Sequence, residues 1–430
     1  MDKEVAILGG GIAGLGVAYE LGKERSIVYE KENYSGGLCN SFRIGDYIFD
    51  TAIHLSFTKD KIVRKIFDNI KYNTHIPQPT NYYSGNWIRH PIQNNLYFLS
   101  DEEKLEAVVD FINKPKLNKE PKNYKEYLYS HYGKYIAEKF FDKYTRKYWC
   151  ASSEVLGIEW IENRMYDLSM EKLLKSILLN VSNGEYYAKE MRYPQRGGYK
   201  SFLKPLIDKV DIMKNKNVEL IDTSKKYIEF SDGTKEYYNK LISSLPLPEL
   251  VIKLKENHKE IQQISDKLHA TSIILVSIGF KNYIELNSLW FYIYDEDIPF
   301  CRVHLPHKKS SNNVPNGCSS IQCEIYYDRK RNININKDNL VERVVENLIN
   351  MNICTQNDIS FVDIREKEYA NVVFDLETKK NKEIVKKFIN KREIELVGRF
   401  GEWEYFWSDQ SLLSGINKAK EYKVRNGVNL

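Results

Sequence analysis

EVAILGGGIAGLGVAYELGKERSIVYEKENYSGGLCNSF, residues 4–42, decides how the rest of the chain is read. Val5 to Leu8 is a short apolar run of the kind a buried parallel strand requires. Gly9-Gly10-Gly11-Ile12-Ala13-Gly14 follows, a G-x-G-x-x-G, and Ala13, Leu15, Val17, Ala18 and Leu21 then recur at helical spacing. A second apolar run, Ser26 to Tyr29, ends on the acid Glu30. Each step of this strand, glycine turn, helix, strand and acid has a physical reason. Gly9 permits a tight turn out of the strand. Gly11 has no Cβ, so a pyrophosphate can approach the backbone, and Gly14 lets the helix lie close on the sheet. The helix N-terminus offers unpaired N–H groups and the positive end of its dipole to the phosphates. Glu30, about twenty residues on, can accept hydrogen bonds from ribose hydroxyls, and its charge disfavours a 2′-phosphate.

The composition surrounding this stretch is that of a globular protein. A chain of 430 residues is long enough for two or three domains with their own cores. The formal charge of +5 is small, and its Lys and Arg are interspersed with Asp and Glu, so no basic tail points to nucleic acid. Tyrosine is abundant, at 31 residues, which suits a polar cleft with aromatic walls. The first apolar run belongs to the strand and lacks a basic leader, and no apolar run reaches about eighteen residues. A cytoplasmic location is therefore expected, without a transmembrane segment. Cys39, Cys150, Cys301, Cys318, Cys323 and Cys354 are scattered and read as reduced thiols. Cys301, His304 and His307, even with Cys318 and Cys323, match no standard zinc spacing, so no metal is expected. The oligomeric state is not legible.

Further along, Asn40 to Ile48 reads as a hairpin turning at Gly45-Asp46, and Tyr83 to Leu99 as a hairpin running into a loop. Residues 101–192 read as largely helical, opened by Asp101-Glu102-Glu103 and capped again at Asn123. Met191 to Tyr199, with Pro194, Gly197 and Gly198, reads as a loop, followed by a helix from Lys200 to about Val210. Buried strands then return at Asn217–Leu220, Lys226–Phe230 and Tyr238–Ser243. Ala270–Phe280, Trp290–Tyr294, Phe300–Leu305 and Ser319–Tyr327 alternate as antiparallel strands do. Asp338–Met351 is an amphipathic helix, and Glu395-Leu396-Val397 is a last buried strand before a helix beginning at Asp409-Gln410.

Several of these stretches carry a resemblance. Glu30 to Leu38, with the pair Gly36-Gly37 beyond the acid, resembles the FAD-binding fingerprint of the amine oxidase superfamily. That group includes protoporphyrinogen oxidase, the carotenoid desaturases and UDP-galactopyranose mutase. The resemblance implies FAD as cofactor, held by Gly9, Gly11, Ile12, Ala13, Gly14, Glu30, Lys31, Gly37 and Leu38. It implies an α/β fold, with a Rossmann-like FAD-binding domain of the GR2 type and an inserted α+β substrate domain, part helical bundle and part antiparallel sheet. The expected FAD domain is discontinuous, over residues 1–75, 195–265 and 395–430. Residues 76–194 form the mostly helical part of the substrate domain and residues 266–394 the sheet part.

Phe49 to Thr58 resembles the family's F-D-x-G-x-H-x-F-x-T element near the flavin ring. His54 holds the histidine position, while Ala52 and Ile53 stand where members usually have glycine. Val218 matches a position whose backbone bonds adenine in relatives. Gly398-Arg399 to Asp409-Gln410-Ser411 resembles the mutases' closing G-R-x-x-x-Y-x-Y-x-x-x-D-Q, which implies Arg399 beside the cofactor phosphates and a helix N-terminus aimed at the flavin. Phe140 to Trp149 resembles a stretch of polysaccharide-locus members, with Cys150 replacing glycine, and Arg164 falls where that group has an arginine. Ile298 to Lys308 resembles the mutases' P-Y-T-R-x-x-E-x-K-H. It places Arg302 at the substrate diphosphate, with Cys301 for the threonine and Leu305 or a neighbour for the glutamate.

Three functions follow from the resemblance. The favoured one is a mutase acting on a nucleotide sugar for surface polysaccharide, with Arg302 and His54 catalytic and Arg89, Arg302 and Tyr405 binding substrate. The second is hydride transfer from a substrate to oxidised flavin, as in the oxidases. The third is an FAD-binding protein without chemistry.

Overall fold

The computed structural model describes residues 3–161, 164–179, 186, 188–256, 258–330 and 335–427. Val5–Leu8 (β1), Ile12–Leu21 (α1) and Ser26–Tyr29 (β2) form the opening unit. β1 is buried at every residue and pairs parallel with β2, Val5 opposite Ser26 and Leu8 opposite Tyr29. On its other side β1 takes Lys240–Ser243, which in turn pairs with Ile394–Leu396. Ile212–Met213 completes a five-stranded parallel sheet beyond β2. A central strand with neighbours on both edges and layers on both faces has nowhere to show a polar side, hence its continuous apolar sequence.

Two glycines set how closely α1 is held. A Cβ on Gly14 would strike the carbonyl oxygen of Gly9, and one on Gly415 would strike that of Ala13. The first brings α1 down onto the end of β1. The second lets the C-terminal helix Ser408–Arg425 cross α1 at backbone contact. A three-stranded antiparallel sheet, Val218–Asp222, Tyr227–Phe230 and Lys235–Tyr237, flanks this layer.

The second layer is a seven-stranded sheet in the order Ile359–Val373, His269–Phe280, Ser319–Asp328, Arg302–His304, Trp290–Ile293, Thr80–Tyr83, Asn86–Arg89. Its pairings are antiparallel, except that Trp290–Ile293 and Thr80–Tyr83 run parallel. The helices Asp101–Ile112, Tyr124–Tyr132 and Lys143–Trp149 pack nearby. Ser100 caps the first through a reciprocal pair with Glu103, and the Asn123 side chain caps the second. Ala137–Asp142 is a π-helical turn leading into Lys143–Trp149. The expected fold class, Rossmann-like layer plus helices and antiparallel sheet, is the one observed.

The structure corrects several element assignments. Met191–Pro194 is a strand, not a loop, paired antiparallel with Tyr72–His75. The helix expected from Lys200 to Val210 is a 3-10 turn, Tyr199–Leu203, followed by only Lys204–Ile207. The strand Ile359–Val373 has no counterpart in the sequence reading: five of its first ten residues are charged, all ten are partly or fully exposed, and only its last five are buried throughout. Residues 162, 163, 180–185 and 187, within the span read as helical, lie outside the described residues.

Candidate functional site

Two adjoining cavities lie between the layers. The first, of about 460 Å³, opens above the G-x-G-x-x-G turn. No side chain caps the first turn of α1, and a Cβ on Gly11 would meet nothing within 4 Å, so the N–H groups there face open space. The Glu30 carboxylate is aligned by Gly10 N–H, donating to Oε2 at 2.7 Å, and by Glu32 N–H, donating to Oε1 at 2.9 Å. Each oxygen keeps a second lone pair for a hydroxyl. Val218 borders the far end, where its carbonyl accepts from the Lys253 ammonium at 2.5 Å. This lining fits an elongated dinucleotide with its phosphates at Gly11.

The second cavity, of about 350 Å³, is walled mainly by aromatic rings and carries three guanidinium groups, Arg164, Arg302 and Arg399. No Asp or Glu among the described residues lines it. Arg164 is stacked between Tyr405 and Trp407, its Cζ at 4.2 and 4.1 Å from the ring centres, and donates to the Tyr405 carbonyl at 2.7 Å. Tyr148 and Tyr405 join through their hydroxyls at 3.1 Å. The buried Nδ2 of Asn371 has no partner among the described residues and sits in this wall, a donor left for a ligand.

Leu38, His54, Arg399, Trp407 and Ser408 border both cavities and mark their junction. Arg399 is fixed there by donating from Nε to Phe406 O at 2.8 Å and from Nη1 to Ala370 O at 3.2 Å. His54 Nδ1 lies 3.2 Å from Ala52 O. A carbonyl only accepts, so Nδ1 carries the proton and Nε2 is the acceptor. Burial pushes the His54 pKa down to about 4, against the pull of the Asp50 charge, so the ring is neutral near pH 7. Ala52, ahead of it, holds φ +73°, which accounts for the glycine usual at this position.

His90, which sequence reading missed, forms part of the second cavity. Asn81 Nδ2 donates to Arg89 O at 3.1 Å, which turns Asn81 Oδ1 toward His90 Nδ1, also at 3.1 Å. Nδ1 is then the donor and Nε2 an acceptor, and burial pushes the ring's pKa down to about 3. Glu324 was missed as well. It lies fully buried behind the cavity wall and faces Arg302 across adjacent strands, Arg302 Nε donating to Oε2 at 2.5 Å. Leu305, which stands where the resembled segment has its glutamate, is buried in the apolar core, and the acid beside Arg302 is Glu324 from the neighbouring strand. Alternation in Ser319–Asp328 puts Glu324 and Tyr326 on one face, but only strand register brings them to Arg302.

The other expected site residues are placed as follows. Gly9, Ile12, Ala13, Lys31, Gly37, Leu38, Gly398 and Ser411 line the first cavity with Gly11, Glu30 and Val218. Gly14 does not; it packs under the turn. Arg399 lines the first cavity together with Gly11 and also borders the second. Asp409 and Gln410 lie in the first turn of the C-terminal helix but line neither cavity, and the Gln410 side chain caps that turn by accepting from Trp407 N–H at 2.8 Å. Tyr405 and Arg302 line the second cavity, whereas Arg89 is exposed at the sheet edge outside it. Among the described residues no group of three His, Cys, Asp or Glu could hold a metal, and no helix is long and apolar enough to cross a membrane. His304 bonds Gln322 and His307 bonds Ser320 instead.

Comparison with known proteins agrees with this architecture. Residues 7–70 match the NAD(P)-binding Rossmann-like domain. A crystal structure of reduced UDP-galactopyranose mutase superposes with TM-score 0.91 at 23% identity, covering 100% of this chain and 96% of that one. The chain has this fold. A putative protoporphyrinogen oxidase from Exiguobacterium sp. 255-15 superposes with TM-score 0.74 at 15% identity, covering 99% of each chain. A fatty acid isomerase from P. acnes that produces CLA gives TM-score 0.67 at 12% identity, covering 99% and 98%. The resemblance read from the sequence thus holds at the level of fold.

Proposed function

We propose that the chain is an FAD-dependent mutase acting on a nucleotide sugar. One observation carries this reading: among the described residues, the cavity that adjoins the dinucleotide cleft holds three arginines, no carboxylate and a wall of tyrosines. Planar guanidinium groups make charge-assisted, often bidentate bonds to phosphate oxygens, and a cavity of this kind selects a dianionic diphosphate attached to a polar sugar. The fold shared with UDP-galactopyranose mutase supports it.

In this reading Gly11 and the α1 N-terminus hold the FAD pyrophosphate, Glu30 holds a ribose, and Val218 borders the adenine. FAD, when bound and reduced, would supply the nucleophile for the anomeric carbon of the sugar. Arg302 and Arg164 hold the diphosphate as leaving group, and tyrosine hydroxyls orient the sugar. The neutral His54 presents Nε2 as an acceptor at the junction, without adding charge beside the ring. Residues 1–75, 195–265 and 395–430 are proposed as one discontinuous FAD domain.

The test is incubation of the dithionite-reduced, FAD-loaded protein with a panel of nucleotide sugars, read by chromatography. Conversion of a pyranose to its furanose isomer, with none by the oxidised protein, is expected. Turnover by the oxidised protein with stoichiometric oxygen consumption would replace this reading with net oxidation.

A further inference from the structure

We infer that Glu324 is a positioning residue that ties the anion-holding Arg302 to the loop carrying His54, so that one buried carboxylate sets both sides of the site. The inference rests on the reading of the second cavity as an anion site beside the flavin. Glu324 is fully buried and its two oxygens serve different partners. Oε2 accepts from Arg302 Nε at 2.5 Å and from Tyr326 OH at 3.1 Å. Oε1 accepts from Ile53 N–H at 2.8 Å. Ile53 lies between Ala52, whose backbone is left-handed, and His54, at the junction of the two cavities. Arg302 also donates from Nη2 to Tyr326 OH at 3.1 Å. Nε and one N–H of Nη2 are thereby engaged by the protein, and the second N–H of Nη2 and both of Nη1 are left without a bond to the described residues.

A carboxylate behind a cation acts on an anion in front of it in two opposed ways. Its charge repels the anion. Its hydrogen bonds hold the guanidinium plane in one orientation, which removes the entropy cost of ordering a long side chain when the anion arrives. The sign of the effect of removing Glu324 separates the two. If the carboxylate merely neutralises Arg302, its loss strengthens anion binding. If it positions Arg302, its loss weakens binding even though the site becomes more positive. The second arm has its own signature, because Ile53 N–H loses its only acceptor among the described residues when Glu324 goes but not when Arg302 goes.

The experiment compares E324L, R302M and R302M/E324L as FAD-loaded proteins. UDP and inorganic pyrophosphate are titrated calorimetrically, and the flavin midpoint potential and visible spectrum are recorded without ligand. E324L is expected to weaken binding of both anions at least tenfold, as R302M does, with the double variant within about twofold of the weaker single one, as for residues of one unit. The flavin potential and spectrum are expected to shift in E324L and in the double variant and to stay at the wild-type values in R302M. Anion binding by E324L equal to or tighter than wild type overturns the positioning role. A flavin signal unmoved in E324L, or moved equally in R302M, overturns the loop arm. If E324L does not accumulate, the double variant, which removes both charges of the pair together, is compared with R302M on the same flavin signal. A wild-type protein that binds pyrophosphate but not UDP ends the nucleotide-sugar reading and leaves this comparison intact. A wild-type protein that binds neither overturns the inference.

Discussion

Lys309 and Asp50 form an ion pair of 2.6 Å with both side chains withdrawn from solvent, 0% and 1% exposed. Asp50 also accepts from Tyr199 N–H at 2.9 Å, Tyr193 OH at 2.8 Å and Ser41 OH at 2.7 Å. Burial opposes its ionisation, but the Lys309 ammonium and these hydrogen bonds overcome that cost and hold the carboxyl below its ordinary range. Breaking such a pair leaves a buried charge, at about 3–5 kcal/mol, whereas removing both charges costs far less. K309M is therefore expected to lower the midpoint of urea unfolding strongly, and D50N/K309M to recover most of the loss. Equal midpoints for the single and double variants would count against this account.

Acid should weaken the fold in two windows. Burial pushes His54 and His307 down to about 4 and His90 to about 3. Their folded pKa values lie below the unfolded value of about 6.5, so the unfolded chain takes up protons first as pH falls. This stabilisation is complete above about pH 7 and declines below it, by up to about 1.4 kcal/mol per pH unit for each ring. Asp50 adds its own loss only below about pH 4, where its unfolded form protonates. Urea midpoints measured from pH 7.5 to 5 check the first window; a flat profile would refute it.

Gly11→Val is expected to abolish flavin binding while leaving the fold intact. Gly11 has φ −70°, which valine tolerates, and the space its side chain would fill is where the pyrophosphate belongs. The readouts are visible absorbance after FAD reconstitution and far-UV circular dichroism. Yellow protein with normal FAD content would place the cofactor elsewhere.

Arg302→Ala should lose at least tenfold in both substrate binding and turnover, and Arg302→Lys should recover only part, because an ammonium cannot copy the guanidinium fork. Flavin content should be unchanged in both. Full recovery by lysine would reduce Arg302 to a point charge.

The sequence by itself determined the opening strand, turn, helix and strand, because those elements lie within one short stretch and are governed by local periodicity and by the steric freedom of glycine. It also placed Gly11 in the turn before the first helix, Glu30 directly after the second strand and Arg302 on a strand. Only the tertiary structure decided what those residues face. Glu324 reaches Arg302 through strand register across an intervening loop, and Arg164 reaches Tyr405 and Trp407 across more than half the chain. Gln410 matches the closing pattern and yet lies outside both cavities, as does Arg89, since a spacing fixes a residue's position along an element and not the layer packed against it. The strand Ile359–Val373 escaped notice for a related reason: at a sheet edge one face stays wet, charges are admitted, and the apolar alternation that marks a buried strand fades. Pairing and packing over long sequence separations are paid in chain entropy and settled by the whole fold, so no local pattern records them.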